Sequence, residues 1–198
     1  MTDLNIRSDA SISSIDTIYT IDEKIEMIMN LYKTHGNTNY FGEKVTKTEH
    51  MIQCALEAQK NNEDEFIVLA CLLHDIGHFL AQDNMNGLGV IEHGLLGYYY
   101  LKDLNMDARI CYLIKKHVDA KRYLVTIDEN NYNNLSDASK KTLEYQGGKM
   151  TKEELISMEI DDEFLNILKV RKYDDMGKSE DKEIPDIETF IPLIRKYL

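Results

Sequence analysis

LLHDIGHFL, residues 72–80, puts two histidines and an aspartate inside a run otherwise apolar enough for a protein core. An ionised carboxylate buried without a partner is costly, so something has to compensate Asp75. The candidates are a hydrogen-bond network, a cationic side chain or a metal ion. The run closes the longer stretch DEFIVLACLLHDIGHFL, residues 64–80, which is apolar nearly all round and predicts a central buried helix through Leu80.

Outward from it, apolar residues recur at three- and four-residue steps, and both prolines fall in the last fourteen residues. A mainly helical chain follows. A helix is expected over DEKIEMIMNLYKTH (22–35), and a second opens at Thr46, where Glu49 completes the spacing of a capping box. Beyond the central helix come EHGLLGYYYLKDL (92–104) and DARICYLIKKHVDAKRYL (107–124). A polar stretch, the segment SDASKKTLEYQGG (136–148), TKEELISMEI (151–160) and DEFLNILKVRKYDDM (162–176) follow. GKSEDKEI (177–184) reads as a solvated connector to a short C-terminal helix, and Gly147-Gly148 as a turn. Residues 1–20 are polar without a period and read as a loose tail, leaving 21–198 as one domain.

The 198 residues carry 35 acidic and 23 basic side chains, a formal charge of -12 that disfavours nucleic acid and anionic membranes as partners. No apolar stretch is long enough to span a bilayer, no leader pattern is visible, and the three cysteines are widely spaced among apolar residues. A cytoplasmic protein with reduced core thiols is expected.

Four of the six histidines lie on apolar stripes of four different helices: His50, His74, His93 and His117. Taken singly, each reads as a hydrogen-bonded core residue. Four together with Asp75 point instead to a metal centre, since helical bundles build such sites from inward imidazoles and carboxylates, which suit iron, manganese or zinc. Helix neighbours diverge by about 100°, so His74 and Asp75 reach different coordination positions, and an aspartate between two cations gives one oxygen to each. A further carboxylate is expected from the helix carrying Arg171. Asp174 and Asp175 both qualify by spacing, as does a surface acidic pair salt-bridged to Arg171.

The set His50, His74-Asp75, His93, His117 and Asp174 resembles the HD-domain superfamily of helical bundles, and the two extra histidines resemble its binuclear members. The stretches YFGE (40–43), LLHDIGH, HVDAKRYL and LSDASKKTLEYQGG are similar to its mixed-valent di-iron oxygenases that cleave 2-amino-1-hydroxyethylphosphonate to glycine and phosphate. The resemblance implies one Fe(II) and one Fe(III), with dioxygen as co-substrate. It places His50, His74, Asp75 and Asp174 on one iron and Asp75, His93 and His117 on the other, and it selects Asp174 over Asp175. It assigns the phosphonate to Lys121, Arg171, Ser139 and His78, the substrate ammonium to Glu43, and the covering of the open iron to a mobile Tyr40. It also implies an upstream Fe(II)/2-oxoglutarate hydroxylase that supplies the substrate.

These roles suit the residue types. A phosphonate dianion takes charge-assisted hydrogen bonds from lysine, arginine and hydroxyl groups, and a carboxylate complements a primary ammonium. A trimethylammonium group would favour an aromatic cage. The rival reading from ligand spacing is a metal-dependent phosphohydrolase with the same cations on a phosphate ester. A non-catalytic helical module would require all the inward polar groups to satisfy one another.

Overall fold

The structure, a computed structural model, describes residues 19–40 and 42–198; of the tail expected at 1–20, residues 1–18 lie outside them, as does Phe41, while Thr20 caps the first helix. The described residues form ten α-helices: α1 (Ile21–His35), α2 (Lys47–Lys60), α3 (Glu65–Leu73), α4 (His93–Asp103), α5 (Ala108–Ile127), α6 (Glu129–Asn133), α7 (Asp137–Tyr145), α8 (Lys152–Glu159), α9 (Phe164–Met176) and α10 (Ile191–Tyr197). Among the described residues there is no β-strand, and the architecture is the all-α bundle the periodicity predicts.

Helix α3 is the axis. Every residue from Ile67 to Leu73 is buried, and the helix packs against α2, α5 and α9. Removal from water of its large aliphatic side chains contributes about 1.5–3 kcal/mol each. Capping boxes fix the starts of α1 (Thr20, Glu23), α2 (Thr46, Glu49) and α8 (Thr151, Glu154). One connected core runs from Ile25 on α1 to Ile194 on α10.

Three sequence expectations are corrected. The central helix does not continue to Leu80: it ends at Leu73, Asp75 leaves helical geometry at φ -101° and ψ 8°, and a 3₁₀ turn spans Ile76–Phe79. The break brings Gly77 against the backbone of His93, an approach that a regular helix carrying side chains would block. The polar stretch after α5 contains α6, which has no apolar stripe to betray it and starts from the Asp128 side chain accepting the Asn130 N–H. The connector 177–184 is pinned rather than solvated, with the Gln53 amide bonded to both the N–H and the C=O of Ser179 and Lys182 paired with Glu57 at 2.6 Å.

No helix among the described residues is long and apolar enough to cross a membrane. Cys54, Cys71 and Cys111 are free and buried.

Candidate metal centre

Four helices and the turn after α3 converge on one buried cluster. His50 comes from α2, His74 caps α3, Asp75 follows it, His93 opens α4, His117 lies on α5 and Asp174 on α9, all six almost fully buried. In each histidine Nδ1 faces a backbone carbonyl: Gly177 at 3.0 Å for His50, Cys71 at 2.8 Å for His74, Val90 at 2.7 Å for His93 and Ile114 at 2.7 Å for His117. A carbonyl only accepts, so each Nδ1 carries the proton and each Nε2 presents its lone pair to the centre.

Those lone pairs meet in twos. His50 Nε2 lies 3.2 Å from His74 Nε2, and His93 Nε2 lies 2.9 Å from His117 Nε2. Two lone pairs at such distances repel unless a proton or a metal ion stands between them. Asp75 divides its oxygens between the pairs, Oδ2 at 3.6 and 3.4 Å from His50 and His74, Oδ1 at 3.3 and 3.5 Å from His93 and His117. Asp174 Oδ1 joins the first pair at 3.4 and 3.8 Å. Asp75 Oδ2 and Asp174 Oδ1 are buried without a hydrogen-bond partner. Orphaned carboxylate oxygens facing imidazole lone pairs are donors that could hold a cation at each pair, with Asp75 between them.

The choice between Asp174 and Asp175 is resolved by Arg171. Its Nη1 donates to Asp174 Oδ2 at 2.5 Å, leaving Oδ1 for the centre, while its Nε donates to Asp175 Oδ2 at 3.1 Å and its Nη2 to Asp175 Oδ1. Asp175 therefore stays at the guanidinium, its side chain 44% exposed. Cys54, which the sequence reading left among the core thiols, lies beside the first pair. Its Sγ is 3.8 Å from both ring nitrogens of His50, hence off the Nε2 lone-pair axis, and burial with Asp174 nearby pushes the thiol well above its usual range. Asp174 Oδ1 is the better-placed donor to this pair.

Charge in the centre is strongly coupled. Burial opposes ionisation of Asp75, but His74 and His117 pull its carboxyl well below the usual range. Burial likewise opposes a charge on His74, yet Asp75 and Asp174 hold it up to about 10. At neutral pH a metal-free chain thus keeps a proton where an ion would sit. Adding iron(II) to metal-free protein at pH 7.5 is expected to release about one proton per chain from this residue, read with a pH indicator. Metal affinity should fall as the solution is made more acidic.

His78 is built differently. Its Nδ1 accepts the Val90 N–H at 3.1 Å, so its proton sits on Nε2, 3.8 Å from Asp75 Oδ1, while the ring stacks on His93 at 3.9 Å. Burial and His93 hold it well below its usual range. One residue, Val90, thereby fixes both rings, its N–H donating to His78 and its C=O accepting from His93.

A cavity opens on the second pair, lined among others by Tyr40, Glu43, His78, Lys121, Ser139 and Arg171. Lys121 Nζ donates to Thr142 Oγ1 at 3.0 Å, and burial together with Arg171 pushes its amine down to about 7. The Glu43 N–H donates to the Tyr40 carbonyl at 2.7 Å, and Gly42 stands at φ +81°. Tyr40 stacks flat on His50 at 3.9 Å, so it covers the first pair rather than the His93–His117 pair. Burial and the negative charges of Asp75 and Asp174 raise its phenol well above the usual range. Lys178, Thr142 and Gln146 also line the cavity and were missed, the first because it sits in a charged run, the others because single polar residues on amphipathic helices carry no pattern.

A buried H…HD…D constellation on a helical bundle defines a class, and the comparisons agree: residues 48–166 match the HD domain family, to which the chain belongs. It is 40% identical over 182 residues to Uncharacterized protein L432 of Acanthamoeba polyphaga mimivirus, covering 90% of this chain and 83% of that one. It is 36% identical over 177 residues to the [1-hydroxy-2-(trimethylamino)ethyl]phosphonate dioxygenase (glycine-betaine-forming) of Leisingera caerulea, with 88% and 90% covered. The hydroxymethylphosphonate dioxygenase of Gimesia maris matches at 31% over 175 residues, 86% of each. Within the HD-domain family the chain is phosphonate dioxygenase-like.

Proposed function

We propose that the chain is a mixed-valent di-iron dioxygenase that cleaves the C–P bond of 2-amino-1-hydroxyethylphosphonate, giving glycine and inorganic phosphate. The observation that carries this reading is the division of Asp75 between two imidazole pairs beside a cavity lined by Lys121, Arg171, Ser139 and Glu43. His50, His74, Asp75 and Asp174 would hold one iron, and Asp75, His93 and His117 the other. The iron pair, when bound, supplies dioxygen activation and the redox chemistry.

The chain supplies placement. Arg171 spends three N–H donors on Asp174 and Asp175 and has two left for a phosphonate oxygen. His78 offers a neutral Nε2–H and Ser139 a hydroxyl. A dianion beside Lys121 would favour its charged form, lifting the amine from about 7. Holding the phosphonate at these groups presents the C1 hydroxyl and C1–H to the His93–His117 side, a positioning contribution of the kind that lowers barriers substantially. Tyr40 excludes water over His50.

Glu43 favours the primary amine. Among the described residues Tyr40 is the only phenyl or phenol ring lining the cavity, which supports an ammonium–carboxylate contact over a cage for a quaternary group. A 2-oxoglutarate-dependent hydroxylase is the class of enzyme that would supply this 1-hydroxy compound.

The test is phosphate release by iron-loaded protein from racemic 2-amino-1-hydroxyethylphosphonate, in air and without it. Release in air alone is expected; release indifferent to oxygen would favour the phosphohydrolase. In parallel, Glu43→Gln is expected to lower kcat/KM for the amino substrate about tenfold or more while sparing hydroxymethylphosphonate, which has no ammonium to lose. Equal losses on both compounds would remove Glu43 from amine recognition.

A further inference from the structure

Lys178 occupies the cavity from an unexpected direction. It follows the last ligand helix, in the connector 177–184, and its side chain is only 16% exposed. The backbone on both sides is clamped to α2: the Gly177 carbonyl accepts from His50 Nδ1, and Ser179 is bonded through its N–H and its C=O to the Gln53 amide. Held this way, the ammonium reaches three groups at once. Nζ lies 3.5 Å from Glu43 Oε1, 3.4 Å from Ser139 Oγ, and 5.9 Å from the centre of the Tyr40 ring.

Two of those contacts belong to opposite ends of the substrate in the reading above, on which this inference rests. Ser139 is on the phosphonate side and Glu43 on the ammonium side. We infer that Lys178 is a substrate-binding residue that exchanges Glu43 for the phosphonate. Without substrate it neutralises Glu43, whose side chain is 19% exposed and would be poorly solvated alone. When the zwitterion enters, Lys178 turns to the phosphonate oxygens next to Ser139, and the substrate ammonium takes its place at Glu43. One long ion pair is replaced by two, and no charge is left over.

The exchange gives the cavity a preference. A phosphonate lacking a cation draws Lys178 away and leaves Glu43 unpaired, while a quaternary ammonium reaches Glu43 without an N–H to donate. A primary amine at C2 completes both contacts.

Inorganic phosphate is the probe, because it engages the anion side alone and requires no turnover. Its affinity is measured calorimetrically for metal-loaded wild type, Lys178→Met, Glu43→Gln and the double variant, with metal content verified to be equal. If Lys178 moves onto the anion, its removal in the Glu43→Gln background weakens phosphate binding roughly tenfold or more, the loss of a charge-assisted contact. The loss with Glu43 in place is smaller, since there the contact is gained by giving up an ion pair. A lysine that stays on Glu43 is recognised directly in a crystal structure of the metal-loaded wild type with phosphate, where Nζ remains at the Glu43 carboxylate instead of at the anion. That geometry, or an affinity that does not change across the four proteins, would overturn the exchange. Failure here leaves the oxygen-dependent release of phosphate from the amino substrate unaffected, so the two readings fall separately.

Discussion

Asp75→Asn is expected to bind neither ion of the proposed two-metal centre tightly and to lose phosphonate turnover by about a thousandfold or more, the scale of a metal contribution worth several kcal/mol. Asparagine keeps the shape of the side chain but changes what meets the imidazoles. Asp75 now sets one oxygen 3.4 Å from His74 Nε2 and the other 3.3 Å from His93 Nε2, so a single charge serves both sides of the centre. An amide brings one oxygen and one NH₂ donor and no charge. Its N–H groups can satisfy a lone pair of one histidine couple directly, which removes the reason for a cation there. The folded state should survive, because the variant no longer needs a protonated His74 to balance a buried carboxylate. Metal per chain by elemental analysis, phosphate release and thermal unfolding together check this. A variant that folds, keeps two ions and retains turnover would show that Asp75 does not join the two sites.

Much of this centre was legible in the sequence because it is carried by periodicity. His93 and His117 fall on the apolar stripes of α4 and α5, and a polar residue on a stripe has to find a partner inside. Thr46 and Glu49 announced the start of α2, and with it the placement of His50 one turn into the helix. Other features depend on contacts between distant segments. Asp174 and Asp175 are both within reach of Arg171 by spacing, and only the way α9 packs against α2 turns the first toward His50. Lys178 stands in a run whose composition says solvent, yet the Gln53 clamp draws it under Tyr40. The end of α3 was hidden for a similar reason: the residues around His74 and Asp75 are apolar enough for helix, and the break is imposed by the backbone of α4 lying against Gly77.

That contact makes Gly77→Ala the substitution expected to be most damaging outside the ligands themselves. A Cβ at position 77 would lie 1.9 Å from the His93 carbonyl oxygen, 2.6 Å from its carbon and 2.9 Å from the Gly97 nitrogen. All three are backbone atoms, so no side chain can swing aside, and the start of α4 has to retreat. Overpacking of this kind costs about 1–3 kcal/mol and occasionally more, and rigid opposing backbone puts Gly77 at the upper end. His93 is the first residue of α4 and moves with it, away from His117 at 2.9 Å and Asp75 at 3.3 Å. His50, His74 and Asp174 stand on other elements and keep their places. With the two-ion centre proposed above, the variant is therefore expected to hold one metal ion rather than two, and to lose on the order of a hundredfold in turnover, the effect of an ångström of misplacement. Gly94→Ala is the matched comparison, since its Cβ would meet its nearest atoms at 3.1–3.4 Å and calls for a much smaller adjustment. If Gly77→Ala instead matched Gly94→Ala in stability and in metal per chain, the close approach of the turn to α4 would not be what sets the spacing of the second site.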